Sequence, residues 1–329
     1  MGDGGVDGGG SRDTGGCPSC RVIAVRRAGS LILCYHRVAE GVANPFKLCV
    51  SPGSFAMQLE EIARYGEPST LDELFLPSRR PRVAVTFDDG YADNLLAAAP
   101  IAEAKGIPIT VYVTSGLLDS EQGFWWDRLG ALVQAHPAAV RSVHMETSAG
   151  CVHVELGSTK AGEDLRALHH HLLPLPVVEI HRLLDELSEE WSVPAARPPD
   201  ARTLTTPEFV ALAASPVVSI GAHTVDHERL SRLGAEEQLR SIGTSKKELQ
   251  RLTDREITHF AYPFGDRDSF NDSSVEAVRV AGFETACTTV SGNAGPSSDP
   301  YRLPRRIARE CSRLRFRVLL QRWSLVSQH

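Results

Sequence analysis

Two neighbouring carboxylates at the end of an apolar run are the residues best placed to do chemistry. The run Val83–Phe87 is rich in β-branched residues, which indicates a buried strand, and Asp88 and Asp89 follow it directly before Gly90. Two carboxylates in one pocket repel and their pKa values move apart. If one binds a metal ion, its neighbour can act as a base on an activated water. The spacing leaves open which acid is the ligand, and a solvated turn is the alternative interpretation.

A second apolar run, Val217–Ala222, leads into His223 and His227. The i, i+4 spacing predicts that both imidazoles share one face of a helix or helical turn, about 5–6 Å apart at Cβ. One Asp and two His form a three-ligand site with open positions, which is typical of catalytic rather than structural metal centres. Two nitrogens and one oxygen suit Zn²⁺, and Co²⁺, Mn²⁺, Fe²⁺ or Ni²⁺ also fit.

These residues resemble the motifs of the polysaccharide deacetylases, carbohydrate esterase family four with its NodB-homology domain. The matching segments, in the order of the family motifs, are Thr86–Tyr91, His223–Leu230 and the FAYPYG-type Phe260–Gly265. The resemblance extends from about residue 31 to about residue 310, with a long insertion. It implies a metal-dependent N-deacetylase on a distorted (β/α) barrel of about seven strands.

The resemblance also implies roles for individual residues. Asp88 would be the base, and the metal would be held by Asp89, His223 and His227. The backbone N–H of Tyr262 would hold the oxyanion. The alternation of predicted strands and helices supports the barrel interpretation. The active sites of such barrels lie at the C-terminal ends of the strands, which is where these candidate residues are predicted to lie.

Two family features are missing from this sequence. Many members carry an arginine at the start of the third motif that pairs with the base, but here Phe260 and Ala261 occupy that region. We expect Arg305, which follows a Pro/Ser-rich loop and begins the last predicted strand, to replace it. The late histidine that supplies the general acid in many members is also absent.

A histidine near the N-terminus is the candidate replacement for that acid. The segment Leu31–Val38 contains a strand that ends at His36 and is similar to the corresponding strand of circularly permuted members, such as poly-N-acetylglucosamine deacetylases. We therefore predict that His36 is the general acid that protonates the departing amine. The alternative is a hydrogen bond from His36 across the barrel rim.

An insertion interrupts the barrel, which is predicted to span residues 23–329. It covers residues 119–204, with a hairpin near Gly150 and a helix over Val177–Trp191. It is expected to cover the cleft and influence substrate choice. Its Trp126 either stacks on a sugar or anchors the insertion in its own core. Tyr91 and Pro263, within the motifs, are further predicted substrate contacts.

Composition limits the partners of the chain. A net charge of −6 over 329 residues gives no whole-chain signature of nucleic-acid binding. Residues 1–22 are Gly-rich and expected to be disordered, and they lack the basic and apolar regions of a secretory signal. We therefore expect a cytoplasmic protein with reduced thiols, in which Cys17 and Cys20 form an isolated CxxC. The sequence does not indicate an oligomeric state.

The C-terminal stretch Arg313–Trp323 combines basic and apolar residues. It is predicted to be a final barrel helix that buries Leu314, Val318 and Leu319, and peripheral contact with an anionic membrane is the alternative. The leading functional hypothesis is removal of an N-acetyl group from an amino sugar of a glycan or glycan precursor. The alternatives are a deformylase or other C–N hydrolase on a lipid-linked sugar and, in another class, a non-catalytic carbohydrate-binding protein.

Overall fold

A computed structural model describes residues 1–2, 30–41, 44, 46–137, 140, 142–157 and 161–325. The predicted disorder of residues 1–22 and the pair Cys17 and Cys20 therefore lie outside the described residues, apart from the first two positions. No helix within the described part of the chain combines the length and apolar character that crossing a bilayer requires.

Parallel strands form the centre of the fold. The strands are β1 (Leu31–Tyr35), β2 (Arg37–Val38), β3 (Cys49–Val50), β4 (Glu67–Pro68), β5 (Arg82–Phe87), β6 (Ile109–Val113), β7 (Ser142–Thr147), β8 (Gly150–Glu155), β9 (Val218–Ala222), β10 (His259–Ala261), β11 (Thr285–Cys287) and β12 (Arg306–Ile307). The helices are α1 (Pro52–Tyr65), α2 (Ala99–Lys105), α3 (Trp125–Ala135), α4 (Ala161–Leu172), α5 (Val177–Trp191), α6 (Thr206–Ala214), α7 (Ala235–Thr253), α8 (Asp272–Val280) and α9 (Arg313–Leu325).

The central sheet has the strand order β11-β10-β9-β6-β5-β1-β12, with β4 added beside β5. Its strands pair in parallel, and their residues are buried almost throughout, which explains the continuous apolar runs in the sequence. The sheet curls so that its two edges are linked by one segment: Leu303 bridges to Cys287 of β11, and Arg306 pairs with Leu33 of β1. The predicted distorted (β/α) barrel of about seven strands is confirmed.

The chain between β6 and β9 builds a second hydrophobic cluster. It contains α3, α4, α5 and the antiparallel hairpin of β7 and β8, and the predicted helix Val177–Trp191 has the observed bounds of α5. Leu129, Leu168 and Leu184 are fully buried within this cluster. Two aromatic residues of the barrel, Tyr91 and Phe264, join the cluster and connect it to the strand ends. The boundaries of 119–204 stay a prediction.

The last helix, α9, packs on α1 as the predicted barrel helix, but with a different face. It buries Phe316 and Leu320, whereas Leu314 is 70% exposed and Val318 is also exposed. The predicted burial of Leu314 and Val318 is therefore wrong, and Leu319 is only half-buried. The buried face of α9 is set by ion pairs as well as by apolar contacts. Arg313 and Arg317 pair with Glu61 of α1, and these contacts fix the rotation of the helix about its axis.

Candidate active site

The two acids occupy a buried turn at the end of β5. Asp88 and Asp89 are 2% and 3% exposed. Asp89 has φ 79° and the following Gly90 has φ 83°, so the backbone enters the left-handed region at the acid itself. At Gly90 an added Cβ would also lie 3.1 Å from a methyl group of Val113. This strained turn directs the two carboxylates to different partners, because Asp88 meets Arg305 and Asp89 meets the histidines.

The two histidines lie on a loop after β9 and not on a helix or helical turn. The loop brings them together through left-handed backbone at Thr224 (φ 63°) and at His227 itself (φ 57°). The N–H of His227 donates to Oγ1 of Thr224, and the N–H of Gly116 donates to the carbonyl of Val225. Gly116 permits this approach, since an added Cβ would lie 2.8 Å from Val225.

Three potential metal ligands converge at this point. Oδ1 of Asp89 lies 3.3 Å from Nε2 of His227 and 3.5 Å from Nε2 of His223. The ligand atoms of the three residues lie within 4.8 Å of one another. Nδ1 of His223 lies 2.7 Å from the carbonyl oxygen of Ala261. Donation from Nδ1 fixes the ring so that Nε2 presents its lone pair to the centre, as in protein metal sites.

The electrostatics of these residues fit a bound cation. Burial would raise the pKa of Asp89, but hydrogen bonds from His223 and His227 hold it well below its ordinary value. Burial lowers the pKa of His227, which favours the neutral imidazole. Nδ1 of His227 is buried and has no hydrogen-bond partner among the described residues. An ionised carboxylate beside imidazole nitrogens is a donor set suited to Zn²⁺.

The second acid is held by a buried arginine. Nη1 and Nη2 of Arg305 donate to Oδ1 and Oδ2 of Asp88, each at 2.6 Å. Nε of Arg305 donates to the carbonyl of Thr288 at 2.9 Å, which fixes the plane of the guanidinium. Burial would raise the pKa of Asp88, but the charge of Arg305 lowers it, so the carboxylate stays ionised. The expected contact between Arg305 and the acid is present.

His36 lies beside Asp88, where β1 ends. A group formed by Cys34, His36 and Asp88 has its candidate ligand atoms within 4.8 Å of one another. Sγ of Cys34 donates to Oδ2 of Asp88 at 3.4 Å. Cys34 was not among the residues predicted from the sequence. The available signal was its spacing from His36, because residues two apart on a strand point to the same side. The role of His36 as the general acid stays a prediction.

The predicted role of Tyr262 is wrong in this structure. Its N–H donates to the carbonyl of Cys287 at 3.1 Å and its hydroxyl donates to the carbonyl of Tyr301 at 3.0 Å. Its ring stacks on Phe270 with ring centroids 4.2 Å apart. The pairing of β10 with the end of β11 uses the N–H, so Tyr262 has no free backbone donor for an oxyanion.

Phe264, two residues later, is the better candidate for that donor. It has φ 60°, an uncommon conformation for a bulky residue, and such strain is concentrated at functional sites. None of the hydrogen bonds among the described residues uses its N–H. Its ring lies 4.7 Å from that of His227. The available signal was the Pro263-Phe264-Gly265 sequence, because a proline often precedes a residue with positive φ in a tight turn.

The three predicted substrate contacts are covered by protein. Tyr91 is fully buried, and its hydroxyl donates to Asp127 and accepts from Nε1 of Trp126. Trp126 is 6% exposed and stacks on Phe124 with ring centroids 4.4 Å apart. Pro263 is also buried. The insertion packs its own core onto the strand ends and covers these residues, and their role as substrate contacts stays a prediction. The alternative, that Trp126 anchors the insertion, is what the structure shows.

A cleft connects this centre with the surface. It encloses about 1280 Å³ between α5, the loop of the histidines and the start of α7. His227 and Trp126 lie at its inner wall. Of the three potential metal ligands, His227 is the one in the described lining of the cleft, and both faces of the cleft carry charged side chains.

Comparison with known proteins identifies the kind of domain. The family profile described as polysaccharide deacetylase matches residues 194–286, which include His223, His227 and the third motif. By this profile, the matched segment of the chain is a polysaccharide deacetylase domain. A curated relative of this deacetylase domain is YxkH of Bacillus subtilis (strain 168), named as a polysaccharide deacetylase, which is 30% identical over 88 residues. That match spans 27% of this chain and 30% of YxkH, so the chain aligns with under a third of the relative's length.

Solved structures resemble this chain over most of its length. The Streptococcus pyogenes deacetylase PplD in complex with acetate is 19% identical, with a TM-score of 0.55, and the match covers 85% of this chain and 92% of that one. IcaB from Ammonifex degensii is 16% identical, with a TM-score of 0.57, and the match covers 89% and 97%. At these identities the likeness shows the fold, which agrees with the barrel described above.

Proposed function

We propose that this protein is a metal-dependent N-deacetylase that removes the acetyl group from an N-acetylated amino sugar of a glycan or glycan precursor. The family match supports a carbohydrate deacetylase. The observation that carries the proposal is that the two acids have different partners. Asp89 lies beside His223 and His227, whereas Asp88 forms an ion pair with Arg305. Zn²⁺ is the proposed ion because the donor set is two nitrogens and one oxygen.

The residues around the cluster supply the remaining parts of an amide hydrolase. A divalent ion bound by Asp89, His223 and His227 would polarise the amide carbonyl and make water more acidic. Asp88, kept ionised by Arg305, accepts the proton of the attacking water. The N–H of Phe264 donates to the oxygen that becomes negatively charged. His36 donates a proton to the departing amine, so that water and amide become acetate and a free amino sugar.

Substrate entry in this account uses the cleft beside α5. The cleft reaches His227 and is large enough for a saccharide of more than one residue, given that ligand cavities commonly enclose about 300–1,000 Å³. The acetate bound to the structurally similar streptococcal deacetylase is the product that the proposed reaction would release.

The test is product release from a panel of N-acetylated sugars, from nucleotide-linked monomers to short oligomers, each with added Zn²⁺ and with a chelator. The proposal predicts acetate from at least one substrate and its loss with the chelator. The same samples are assayed for formate after incubation with N-formyl analogues, which tests the deformylase alternative. Metal binding without release of acetate or formate would favour the non-catalytic alternative and contradict the proposal.

A further inference from the structure

Trp126 is shared by the cleft that reaches His227 and by a second, smaller cavity. We name the second one the α3 cavity. It encloses about 400 Å³ between α3, the segment around β3 and the end of the insertion. Among the described residues, its lining contains none of the three proposed metal ligands. The α3 cavity is therefore a separate space that touches the proposed active site through one side chain.

The polar groups in the wall of the α3 cavity are largely occupied by the protein itself. The side chain of Asn44 both donates to and accepts from the backbone of Cys49. The guanidinium of Arg37 pairs with Asp93 at 3.0 Å and donates to the carbonyl of Asp200. A sugar, which presents many hydroxyl groups, would find few free partners here.

The buried acid in the wall, Asp127, is also engaged. Its Oδ2 accepts the hydroxyl of Tyr91 at 2.8 Å. Burial raises its pKa to about 7, so at neutral pH it is held partly uncharged. It therefore adds little fixed charge to the buried part of the wall, and the exposed polar residues of the described lining are Asn44, Gln134 and Asp200. The apolar and aromatic side chains of that wall are Phe46, Leu48, Trp126, Val133, Leu165, Pro198 and Ala201.

We propose that the α3 cavity binds an unbranched hydrocarbon chain. The free energy of binding an apolar chain becomes more favourable with each CH₂ group that leaves water. Such a chain requires no hydrogen bonds from the wall. The chain has two sources with the same chemistry: the aglycone of the sugar substrate or a separate lipid. This inference goes beyond the proposed function, and binding does not depend on turnover.

Gly130 provides a direct way to fill the cavity. It lies on α3 and lines the cavity, and an added Cβ there meets nothing within 4 Å. Gly130→Leu therefore places a side chain in the space while improving the helix propensity of α3. Gly243→Leu is the matched control, because Gly243 lies in α7 with equally open surroundings and is absent from the cavity wall. Ala131→Phe is a second filling variant if Gly130→Leu does not fold.

The binding test titrates each folded protein with 1-decanol and follows tryptophan emission, to which Trp126 contributes from the wall. The wild type and Gly243→Leu are expected to show the same saturable change. Gly130→Leu or Ala131→Phe is expected to bind at least about tenfold more weakly, a difference that such a titration resolves. Absence of saturable binding in the wild type, or unchanged binding in both filling variants, would overturn the proposal.

A second arm identifies the source of the chain. It compares kcat/KM for decyl and methyl N-acetyl-β-glucosaminides in the wild type and in Gly130→Leu. A preference for the decyl glycoside that disappears in Gly130→Leu supports the site and assigns the chain to the substrate. Equal use of both glycosides, together with weakened decanol binding in Gly130→Leu, supports the site and assigns it to a separate lipid. Absence of turnover on both glycosides with saturable decanol binding that weakens in Gly130→Leu would support the site and exclude only these two glycosides as substrates.

Discussion

Arg305 donates to both carboxylate oxygens of Asp88 at 2.6 Å, across 217 positions of the chain. The pair forms because Arg305 immediately precedes β12 and Asp88 immediately follows β5, and both strands flank β1. Closure of the curled sheet therefore brings Asp88 and Arg305 together. The same strand order places His36, at the end of β1, beside Asp88.

The first prediction concerns the buried pair itself. Arg305→Met would leave the carboxylate of Asp88 buried and unpaired, so we expect a loss of about 3–5 kcal/mol in the free energy of unfolding, measured with urea. Arg306→Met is the control, because Arg306 is the next residue and is only half-buried, and it should cost much less. If both variants were equally stable, the pair would not contribute as described.

The second prediction tests His36 as the general acid. His36→Gln should lower kcat for an N-acetylated sugar by about 10²–10⁴-fold, because the amine leaves poorly without a proton. The decrease should be much smaller for an N-acetyl anilide with a 4-nitro group, whose amine leaves without protonation. Equal decreases on both substrates would show that His36 acts in another way.

The third prediction concerns the acid of the α3 cavity and pH. The pKa of Asp127 is raised to about 7 in the folded state by burial, compared with about 3.8 in the unfolded chain. The folded state thus retains a proton that the unfolded state releases, so stability falls as pH rises from about 4 to 7 and then levels. Asp127→Asn should remove this slope. The difference in the free energy of unfolding between the variant and the wild type should therefore shift in favour of the variant by on the order of 2–4 kcal/mol between pH 4 and pH 8. Urea unfolding at several pH values measures it, and parallel curves for both proteins would refute it.

The fourth prediction concerns the contact between α1 and α9. Hydrogen bonds from Arg317, opposed by burial and assisted by Arg313, lower the pKa of Glu61 to about 2. Because the folded pKa lies below the ordinary value of 4.5, this contribution is complete above pH 4.5 and is lost as pH falls towards 2. Glu61→Gln should therefore cost about 1 kcal/mol at pH 7 and progressively less at pH 4 and pH 3.

Glu60→Gln is the control for that measurement, because Glu60 lies next to Glu61 on α1 and shares Arg313 but is more exposed. Its replacement should have a smaller effect at pH 7. A cost for Glu61→Gln that stayed constant from pH 7 to pH 3 would contradict an ionic contact.

The sequence was sufficient to predict the barrel and the position of the acids because those features depend on local patterns. Apolar runs that end in Asp88, His36 and His223 predict strand ends, and parallel strands bring their ends to one edge. Arg305 was predictable for a different reason, as a replacement for the family arginine that is absent at Phe260 and Ala261. These predictions required the order of elements but not the detailed conformation of any loop.

The errors all involve loops or distant packing. Thr224 and His227 have left-handed backbone although neither is glycine. The residue types therefore did not indicate that the histidines lie on a loop. The N–H of Tyr262 is occupied because β10 pairs beside Cys287, a contact between distant segments. The burial of Tyr91 likewise depends on how the insertion folds back. Sequence periodicity contains no information on these long-range contacts.

The most direct test of the account compares Asp88→Asn with Asp89→Asn for zinc content and for acetate release. Both variants are first checked for folding by circular dichroism. The account predicts that Asp88→Asn keeps stoichiometric zinc and loses turnover, because only the base is removed, and that Asp89→Asn loses zinc and turnover together. Loss of zinc in Asp88→Asn with retention in Asp89→Asn would contradict the assignment of the two acids, and zinc binding by neither the variants nor the wild type would contradict the metal centre.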